Sequence, residues 1–176
     1  MHEHDQAGSA DVLIIGAGIA GLSLATALGH QGFRVSVIDG ASRPEAPKPG
    51  KELQDWDLRV SALTPASIAF LAEIGVWRDA STHRAAPYDC MRVWDASGSG
   101  SIVFDAGEAD ASSLGHIVEN REMLQALLQC AQALPCVELC WGHALETMSS
   151  AGSGWLVACS TGREFHTALA IGADGA

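Results

Sequence analysis

The chain has 176 residues, 48% of them hydrophobic and 18% charged, a composition that predicts a globular domain and excludes a disordered chain. The net charge is −11 at pH 7 and only 10 residues are Lys or Arg, which argues against nucleic acid as a partner because phosphate neutralisation needs many cations. Residues 1–10 (MHEHDQAGSA) predict a disordered tail, which is too acidic for a signal peptide.

The stretch Asp11–Asp39 predicts a strand, a glycine turn, a helix and a second strand. The apolar run Val12–Ile15 is typical of a strand that is buried on both faces. A helix is expected over about Gly18–Gly29, and the second strand over Arg34–Ile38. The four-residue spacing of apolar side chains predicts the buried face of the helix: Ala20, Leu24 and Leu28.

The turn reads G-A-G-I-A-G, and an acid follows the second strand. Gly16 permits a tight turn, Gly18 lets a pyrophosphate approach the backbone, and Gly21 lets the helix pack closely on the strand. The helix N-terminus attracts an anion, and Asp39 can accept hydrogen bonds from an adenosine ribose. The alternative is a glycine turn that only packs. The context favours a dinucleotide, with NAD and FAD both open.

The residues between positions 12 and 29 carry no charge, and the run is long enough to resemble a membrane span. The glycines divide this run into a strand and a helix, so we expect no transmembrane segment and a cytoplasmic location. The five cysteines form no C-x-x-C pair, which predicts free thiols in a reducing compartment. No metal site and no catalytic acid or base is predicted.

A proline-rich loop follows Asp39 and leads into the segment DLRVSALTPASIAFLAEIGVW. Thr64 is a good N-cap for a helix that ends at Gly75. Its buried face is expected to hold three residues: Ile68, Leu71 and Ala72. Arg59 precedes this helix, where a cation could reach a phosphate or ribose of a bound dinucleotide. A surface arginine without a ligand is the alternative.

Residues 88–105 predict a β-hairpin in which a Gly/Ser cluster forms the turn. Four apolar side chains alternate with polar ones along its strands: Met91, Val93, Ile102 and Phe104. A hairpin departs from a strict βαβ pattern, so it predicts an inserted antiparallel layer of the kind that covers a substrate. A purely structural sheet is the alternative.

A third helix is expected from Asn120, its N-cap, to the residue before Pro135. Arg121 is unfavourable there, because a cation at a helix N-terminus opposes the helix dipole. A local rule broken in this way hints at a functional role, with a surface arginine again as the alternative.

The last part of the chain predicts a short strand over Val137–Cys140 and then a β-meander over residues 144–173. The final apolar run ends in Asp174 and Gly175. Such an ending should lead into a loop and a further element, so we expect the chain to be truncated.

The chain resembles the FAD-dependent aromatic hydroxylases, also called class A flavoprotein monooxygenases. Within that family it is most similar to the group that hydroxylates polyprenyl phenols in ubiquinone biosynthesis. The resemblance covers residues 11–176 and rests on these stretches: DVLIIGAGIAGLSLATAL, DLRVSALTPASIAFLAEIGVW, PYDCMRVWDASGSGSIVFDA, LGHIVENREMLQALL and GADGA.

The resemblance implies a set of cofactor-binding residues. Gly16, Gly18 and Gly21 would form the ADP-binding turn, and Asp39, where the family often has Glu, would hold the ribose. Arg59 and Arg121 match FAD-contacting arginines, and a bound pyrophosphate would then be the counter-charge that Arg121 lacks. Asp174 matches the start of an Asp-Gly motif that contributes to FAD and NAD(P)H binding.

The resemblance also implies an α/β, Rossmann-like FAD-binding domain of the glutathione-reductase type. Residues 11–176 would be its N-terminal part, and residues 86–118 part of a substrate-domain sheet. In the reaction, NAD(P)H supplies electrons and an oxygen atom of O₂ is transferred to the phenol ring. Another FAD-dependent oxidoreductase of this fold, or a non-catalytic FAD-binding fragment, is the alternative. The lipophilic substrate implies peripheral contact with the inner membrane or a biosynthetic complex.

Overall fold

The computed structural model describes residues 8–45, 56–78 and 84–175. As far as their residues are described, they form two compact units: unit 1 combines Met1–Ala46 with Leu124–Ala176, and unit 2 is Pro47–Met123. The described helices are α1 (Ile19–His30), α2 (Pro65–Glu73) and α3 (Asn120–Gln132). The described strands, in chain order, are β1 (Gly8–Ile15), β2 (Val35–Asp39), β3 (Val60–Leu63), β4 (Ala86–Tyr88), β5 (Cys90–Trp94), β6 (Ser101–Asp105), β7 (Gly115–Glu119), β8 (Val137–Trp141), β9 (Leu145–Ala151), β10 (Gly154–Cys159) and β11 (Glu164–Gly172).

Unit 1 is built on a sheet with strand order β8-β2-β1-β11-β10-β9. The first four strands in this order are parallel, and β11, β10 and β9 pair antiparallel. The predicted α/β fold and the β-meander are therefore confirmed. In the parallel part, Ile15 pairs with both Ile38 and Gly172, so the carboxyl ends of three strands meet at one edge of the sheet. In open α/β sheets this edge is where ligands bind.

Strand β1 begins earlier than the sequence pattern indicated. Gly8, Ser9 and Ala10 pair in parallel with residues 165–167 of β11. The predicted disordered tail is thus wrong for residues 8–10, because backbone pairing with a strand more than 150 positions away orders them. The rest of that tail, residues 1–7, lies outside the described residues, as do residues 46–55 of the proline-rich loop.

Helix α1 buries a different face from the predicted one. Its buried residues are Gly21, Leu22, Ala25, Thr26 and Gly29, whereas Ala20 is exposed and Leu24 is only half-buried. A Cβ added at Gly29 would lie 2.6 Å from Cγ2 of Val137, so the small residues form the face of close approach. The helix is apolar on all sides, and residue size rather than hydrophobicity selects the buried face.

The sheet of unit 1 has a fully apolar cluster on one side. It contains Leu13, Ile38, Val157 and Phe165 together with the thiols of Cys140 and Cys159. Burial raises the pKa of Cys140 to about 11, with a contribution from the negative charge of Glu138, and burial also raises the pKa of Cys159. Cys159 therefore acts as a small apolar side chain, whereas Sγ of Cys140 also accepts a hydrogen bond from Nη1 of Arg163 at 3.3 Å.

The thiols of Cys90, Cys140 and Cys159 should differ widely in reactivity, because the thiolate is the reactive form. Of these three, Cys90 is exposed and the other two are buried. At pH 8 we expect iodoacetamide to modify Cys90 readily, Cys140 roughly 100-fold more slowly, and Cys159 also more slowly than Cys90. Timed labelling followed by peptide mass spectrometry measures the three rates, and labelling in urea is the control. Equal rates in the folded chain would contradict the burial described for unit 1.

Unit 2 contains a three-stranded sheet, β3-β7-β4, and the separate hairpin β5–β6. Helix α2 follows its prediction: the Thr64 side chain accepts a hydrogen bond from the Ser67 N–H, and Gly75 has a positive φ of 77°. The expected apolar face is only partly confirmed, since Leu71 is buried but Ala72 is exposed. Ile74 and Val76, beyond the helix, are buried as well.

The predicted hairpin is present, with Met91 opposite Phe104 and Val93 opposite Ile102. Every residue of both strands is exposed, including Trp94 at 69%. Two strands alone cannot bury their own side chains, and none of the described residues covers these strands enough to bury any of theirs.

None of the described helices is both long enough and apolar enough to cross a membrane.

Candidate cofactor site

The glycine turn between β1 and α1 is packed against the end of β11. Gly16 has φ +108°, and a Cβ there would lie 2.5 Å from the Ala173 carbonyl oxygen. The Ala173 N–H in turn donates to the Ile15 carbonyl at 2.7 Å. A Cβ at Gly21 would overlap the Gly16 carbonyl oxygen. Both glycines are therefore required by the turn itself.

Gly18 differs from its two neighbours in the motif. Its backbone, at φ −75° and ψ −175°, is one that any residue adopts, and a Cβ added there would meet nothing within 4 Å. It is the N-cap of α1, with no side-chain cap bond and no acidic residue in the first turn. The space beside Gly18 and the uncapped, acid-free helix start together suit an approaching anion.

Asp39, at the end of β2, lies beside this turn. One carboxylate oxygen accepts a hydrogen bond from the Ala17 N–H and the other from the Ala41 N–H, each at 2.8 Å. An ionised carboxylate offers about four lone-pair sites, so acceptor capacity remains for hydroxyl groups of a ligand. The side chain therefore both fixes the turn and faces the edge where a ribose is expected.

A cleft of about 310 Å³ opens at this edge of unit 1. It brings together three of the predicted site residues, Gly16, Asp39 and Asp174. The other residues that line it are Ile15, Ile38, Gly40, His143, Ala144 and Leu145.

His143 is a cleft residue that the sequence motifs do not single out. Its backbone N–H donates to the Asp39 carbonyl at 2.9 Å, and its Nδ1 lies 2.6 Å from the Thr161 hydroxyl. The motif contains no signal for it. The strand pairing does point to it: β8 pairs in parallel with β2, so the loop after β8 begins beside Asp39.

The two predicted arginines lie in unit 2, where Asp57 links the segments that carry them. Its carboxylate accepts from the Arg59 N–H at 3.0 Å and from the Arg121 N–H at 3.3 Å. Asp57 therefore supplies an acceptor at the start of α3. The predicted N-cap, Asn120, is the first residue of the helix, and its side-chain oxygen accepts from the Ser61 hydroxyl at 2.6 Å.

A carboxylate of the chain itself balances the unfavourable positive charge of Arg121 at the start of α3. Its Nη2 lies 3.2 Å from the carboxylate of Glu119, which is 2% exposed. The sequence-based explanation, in which a bound pyrophosphate supplies the missing counter-charge, overlooked this carboxylate two residues upstream. Arg121 still keeps donor capacity, because its Nε is buried and makes no hydrogen bond to any described residue.

The comparison with protein families decides between the two dinucleotides left open by the motif. The family described as FAD binding domain matches residues 9–176. The chain belongs to this FAD-binding family.

Known relatives of the FAD-binding chain include enzymes named for ubiquinone synthesis. It is 34% identical to the 3-demethoxyubiquinol 3-hydroxylase of Escherichia coli, over 94% of this chain and 41% of that protein. It is 31% identical to the mitochondrial ubiquinone biosynthesis monooxygenase of Danio rerio, over 98% of this chain and 39% of that protein. The chain thus spans about 40% of the length of these relatives.

Solved structures share the fold. PqsL of Pseudomonas aeruginosa, described as a probable FAD-dependent monooxygenase, superposes with a TM-score of 0.71 at 24% identity, over 96% of this chain and 43% of that one. The flavin-dependent monooxygenase PieE, solved with FAD and substrate, also gives 0.71, at 20% identity, over 96% of this chain and 30% of that one. The chain therefore shares its fold with the matching part of these two structures.

The residues present fit the ADP half of FAD. The space beside Gly18 is open, and a Cβ would occupy it. Close approach of a pyrophosphate to the backbone requires that space to stay free. Asp39 has acceptor capacity for a ribose, and the α1 N-terminus carries no competing acid.

Asp39→Asn should weaken both the turn and FAD binding. An amide accepts at only one of its two positions, so one of the two backbone N–H groups loses its side-chain partner, at a cost of about 0.5–1.5 kcal/mol in the free energy of unfolding. We expect ADP affinity to fall roughly tenfold or more as one ribose acceptor is lost. Calorimetric titration and urea unfolding measure the two effects.

Asp11→Asn is the matched control for Asp39→Asn, since Asp11 also accepts a backbone N–H, that of Arg34, but in an exposed ion pair. It should change stability little, because solvent screens an exposed ion pair, and it should leave ADP binding unaltered. Equal ADP affinity of the wild-type chain and Asp39→Asn would remove Asp39 from the site.

Proposed function

We propose that this chain is the FAD-binding N-terminal part of a monooxygenase that hydroxylates the aromatic ring of a polyprenyl phenol in ubiquinone biosynthesis. The observation that carries the proposal is the glycine turn with its open Gly18 and adjacent Asp39, in a chain whose relatives are named as ubiquinone hydroxylases. Another aromatic substrate is the second candidate, because the structures of the same fold include a p-nitrophenol monooxygenase.

In this proposal the chain's own residues bind and orient the cofactor. The backbone at Gly16, Gly18 and Gly21 and the N-terminus of α1 hold the pyrophosphate, and Asp39 holds the adenosine ribose. Arg59 and Arg121 contribute cations toward the phosphates and ribose, and Asp174 begins the motif that contributes to FAD and NAD(P)H binding. When bound, FAD supplies the redox chemistry that takes electrons from NAD(P)H and transfers an oxygen atom from O₂ to the ring.

The hairpin β5–β6 supports the assignment of residues 86–118 to a substrate-domain sheet. Its strands expose six large apolar side chains, a patch that marks a contact surface rather than a free one. They are Met91, Val93, Trp94, Ile102, Val103 and Phe104. In the proposed enzyme this layer helps to exclude water from the substrate.

The proposal predicts weak FAD binding and no hydroxylation by the 176-residue chain alone. Titration with FAD, followed by flavin fluorescence, measures the first property. NAD(P)H oxidation is then assayed for an extended protein of the relatives' full length that contains this chain, with a polyprenyl phenol and with hydroxybenzoates. Turnover with hydroxybenzoates alone would select the second candidate, and steady turnover by the short chain would contradict the assignment to a part of the enzyme.

The substrate class gives the basis for a proposed location. A polyprenyl phenol partitions into lipid, so the enzyme would work in the cytoplasm at the surface of the inner membrane. Sedimentation of the extended protein with vesicles that contain the substrate tests this contact, and binding equal to that of substrate-free vesicles would count against it.

A further inference from the structure

Glu119, the last residue of β7, is an acidic side chain buried within unit 2 at 2% exposure. One of its carboxylate oxygens accepts the Asp57 N–H at 2.7 Å and lies 3.2 Å from Nη2 of Arg121. The other lies 3.2 Å from Nε of Arg84, whose guanidinium stacks 4.0 Å from the centre of the Trp56 ring. A buried carboxylate is costly unless paired, so these contacts explain how the charge is tolerated.

The contacts of Glu119 extend to both arginine-bearing segments. Asp57, whose N–H is held by Glu119, accepts from the N–H groups of Arg59 and Arg121. The Asn120 N–H donates to the Arg59 carbonyl at 2.9 Å, and Val60 pairs with Glu119 across β3 and β7. The approach to β3 and the start of α3 are thus fixed to each other around one carboxylate.

The hydrogen bonding at this centre is incomplete among the described residues. Nε and Nη2 of Arg121 are buried without a hydrogen bond, and so is one oxygen of Glu119, although ion pairs lie close by. Buried polar groups are nearly always satisfied, and exceptions call for a specific reason. An arginine oriented by charge on one side, with donors left over, is prepared to bind a further anion.

We propose that Glu119 is a positioning residue for the cofactor arginines: it orients the Arg121 guanidinium through its charge and fixes the Arg59 backbone through Asp57. The inference rests on the proposed function, in which Arg59 and Arg121 contact FAD. The proposal gives Glu119 no contact with the cofactor, because a carboxylate beside a pyrophosphate would repel it; its contacts are with Asp57, Arg84 and Arg121.

A purely electrostatic role and a positioning role of Glu119 predict opposite changes in FAD affinity for Glu119→Gln. Removal of a negative charge near a phosphate site strengthens anion binding if charge alone matters. If Glu119 instead orients Arg121, its loss weakens anion binding. We expect Glu119→Gln to weaken FAD and ADP binding at least tenfold in fluorescence and calorimetric titrations of the 176-residue chain.

Glu122→Gln is the matched control, because Glu122 carries the same charge three residues after Glu119. Its carboxylate also lies near Arg84, at 3.9 Å from Nη1. It should change FAD affinity less than twofold. Equal or tighter FAD binding by Glu119→Gln than by the wild-type chain would overturn the proposal.

A double variant separates positioning from a general structural effect. In an Arg121→Gln background, Glu119→Gln should cause little further loss of FAD affinity, because the group that it orients is gone. A full tenfold loss in that background would overturn the proposed action through Arg121.

Hydrogen exchange tests the contact in the absence of FAD. Glu119→Ala, which removes the acceptor of the Asp57 N–H, should speed exchange of the Asp57 amide hydrogen several-fold relative to the wild-type chain, and unchanged protection would overturn the proposal. A wild-type chain that binds neither FAD nor ADP would instead overturn the proposed function, so the two failures are distinguishable.

Discussion

Gly21→Ala should be among the most destabilising single substitutions in unit 1. The added Cβ would overlap the Gly16 carbonyl oxygen, and neither partner can move freely, because one is in helix α1 and the other in a tight turn. We expect a loss of about 3 kcal/mol or more in the free energy of unfolding, at the upper end for steric overpacking. Urea unfolding followed by circular dichroism measures it.

Gly29→Ala is the comparison for Gly21→Ala, as it lies eight residues further along the same buried face. Its Cβ would meet the side-chain atoms Cγ2 of Val137 and Cδ1 of Leu134, at 2.6 and 2.9 Å, rather than a backbone oxygen. Side chains adjust more easily than the turn, and alanine also favours the helix by about 1 kcal/mol. Equal stability losses for the two variants would contradict the close packing described for the turn.

Gly18→Ala should lower FAD affinity without lowering the stability of the fold much. The backbone of Gly18 suits alanine and the new Cβ meets no atom of the chain, so we expect stability to change by less than about 1 kcal/mol, the scale of an N-cap effect. FAD and ADP affinity should nevertheless fall by roughly 30-fold or more, because the methyl group occupies the path of the pyrophosphate. Titration calorimetry and urea unfolding of the same preparation give both values.

Gly100→Ala is the control for Gly18→Ala, since its Cβ would also meet nothing within 4 Å but lies in unit 2, next to the hairpin. It should alter neither stability nor FAD affinity. Undiminished FAD binding by Gly18→Ala would show that the phosphate does not approach this turn.

The sequence was sufficient for the features that short stretches determine. The strand–turn–helix–strand unit, the cap at Thr64 and the β5–β6 hairpin each follow from local rules on glycine, capping and alternation, and the structure confirms them. The position of Asp39 beside Ala17 was predictable as well, because parallel strands end at one edge.

Features that depend on distant contacts were missed or misread. Gly8–Ala10 are ordered by pairing with β11, which no local pattern encodes. The buried face of α1 depends on side-chain size at the sheet, so hydrophobic spacing in an apolar helix could not identify it. The pairing of Glu119 with Arg121 could have been suspected from their spacing, but the role of Asp57 at the start of α3 required the fold.

The central claim is that the turn after β1, together with Asp39, binds the ADP half of FAD. The most direct test is titration of the isotopically labelled chain with ADP, followed through backbone amide resonances. We predict the largest shifts at the amides of Ala17, Gly18 and Ile19 and at Asp39 and Ala41. Saturation with ADP that leaves these amides unshifted would contradict the account.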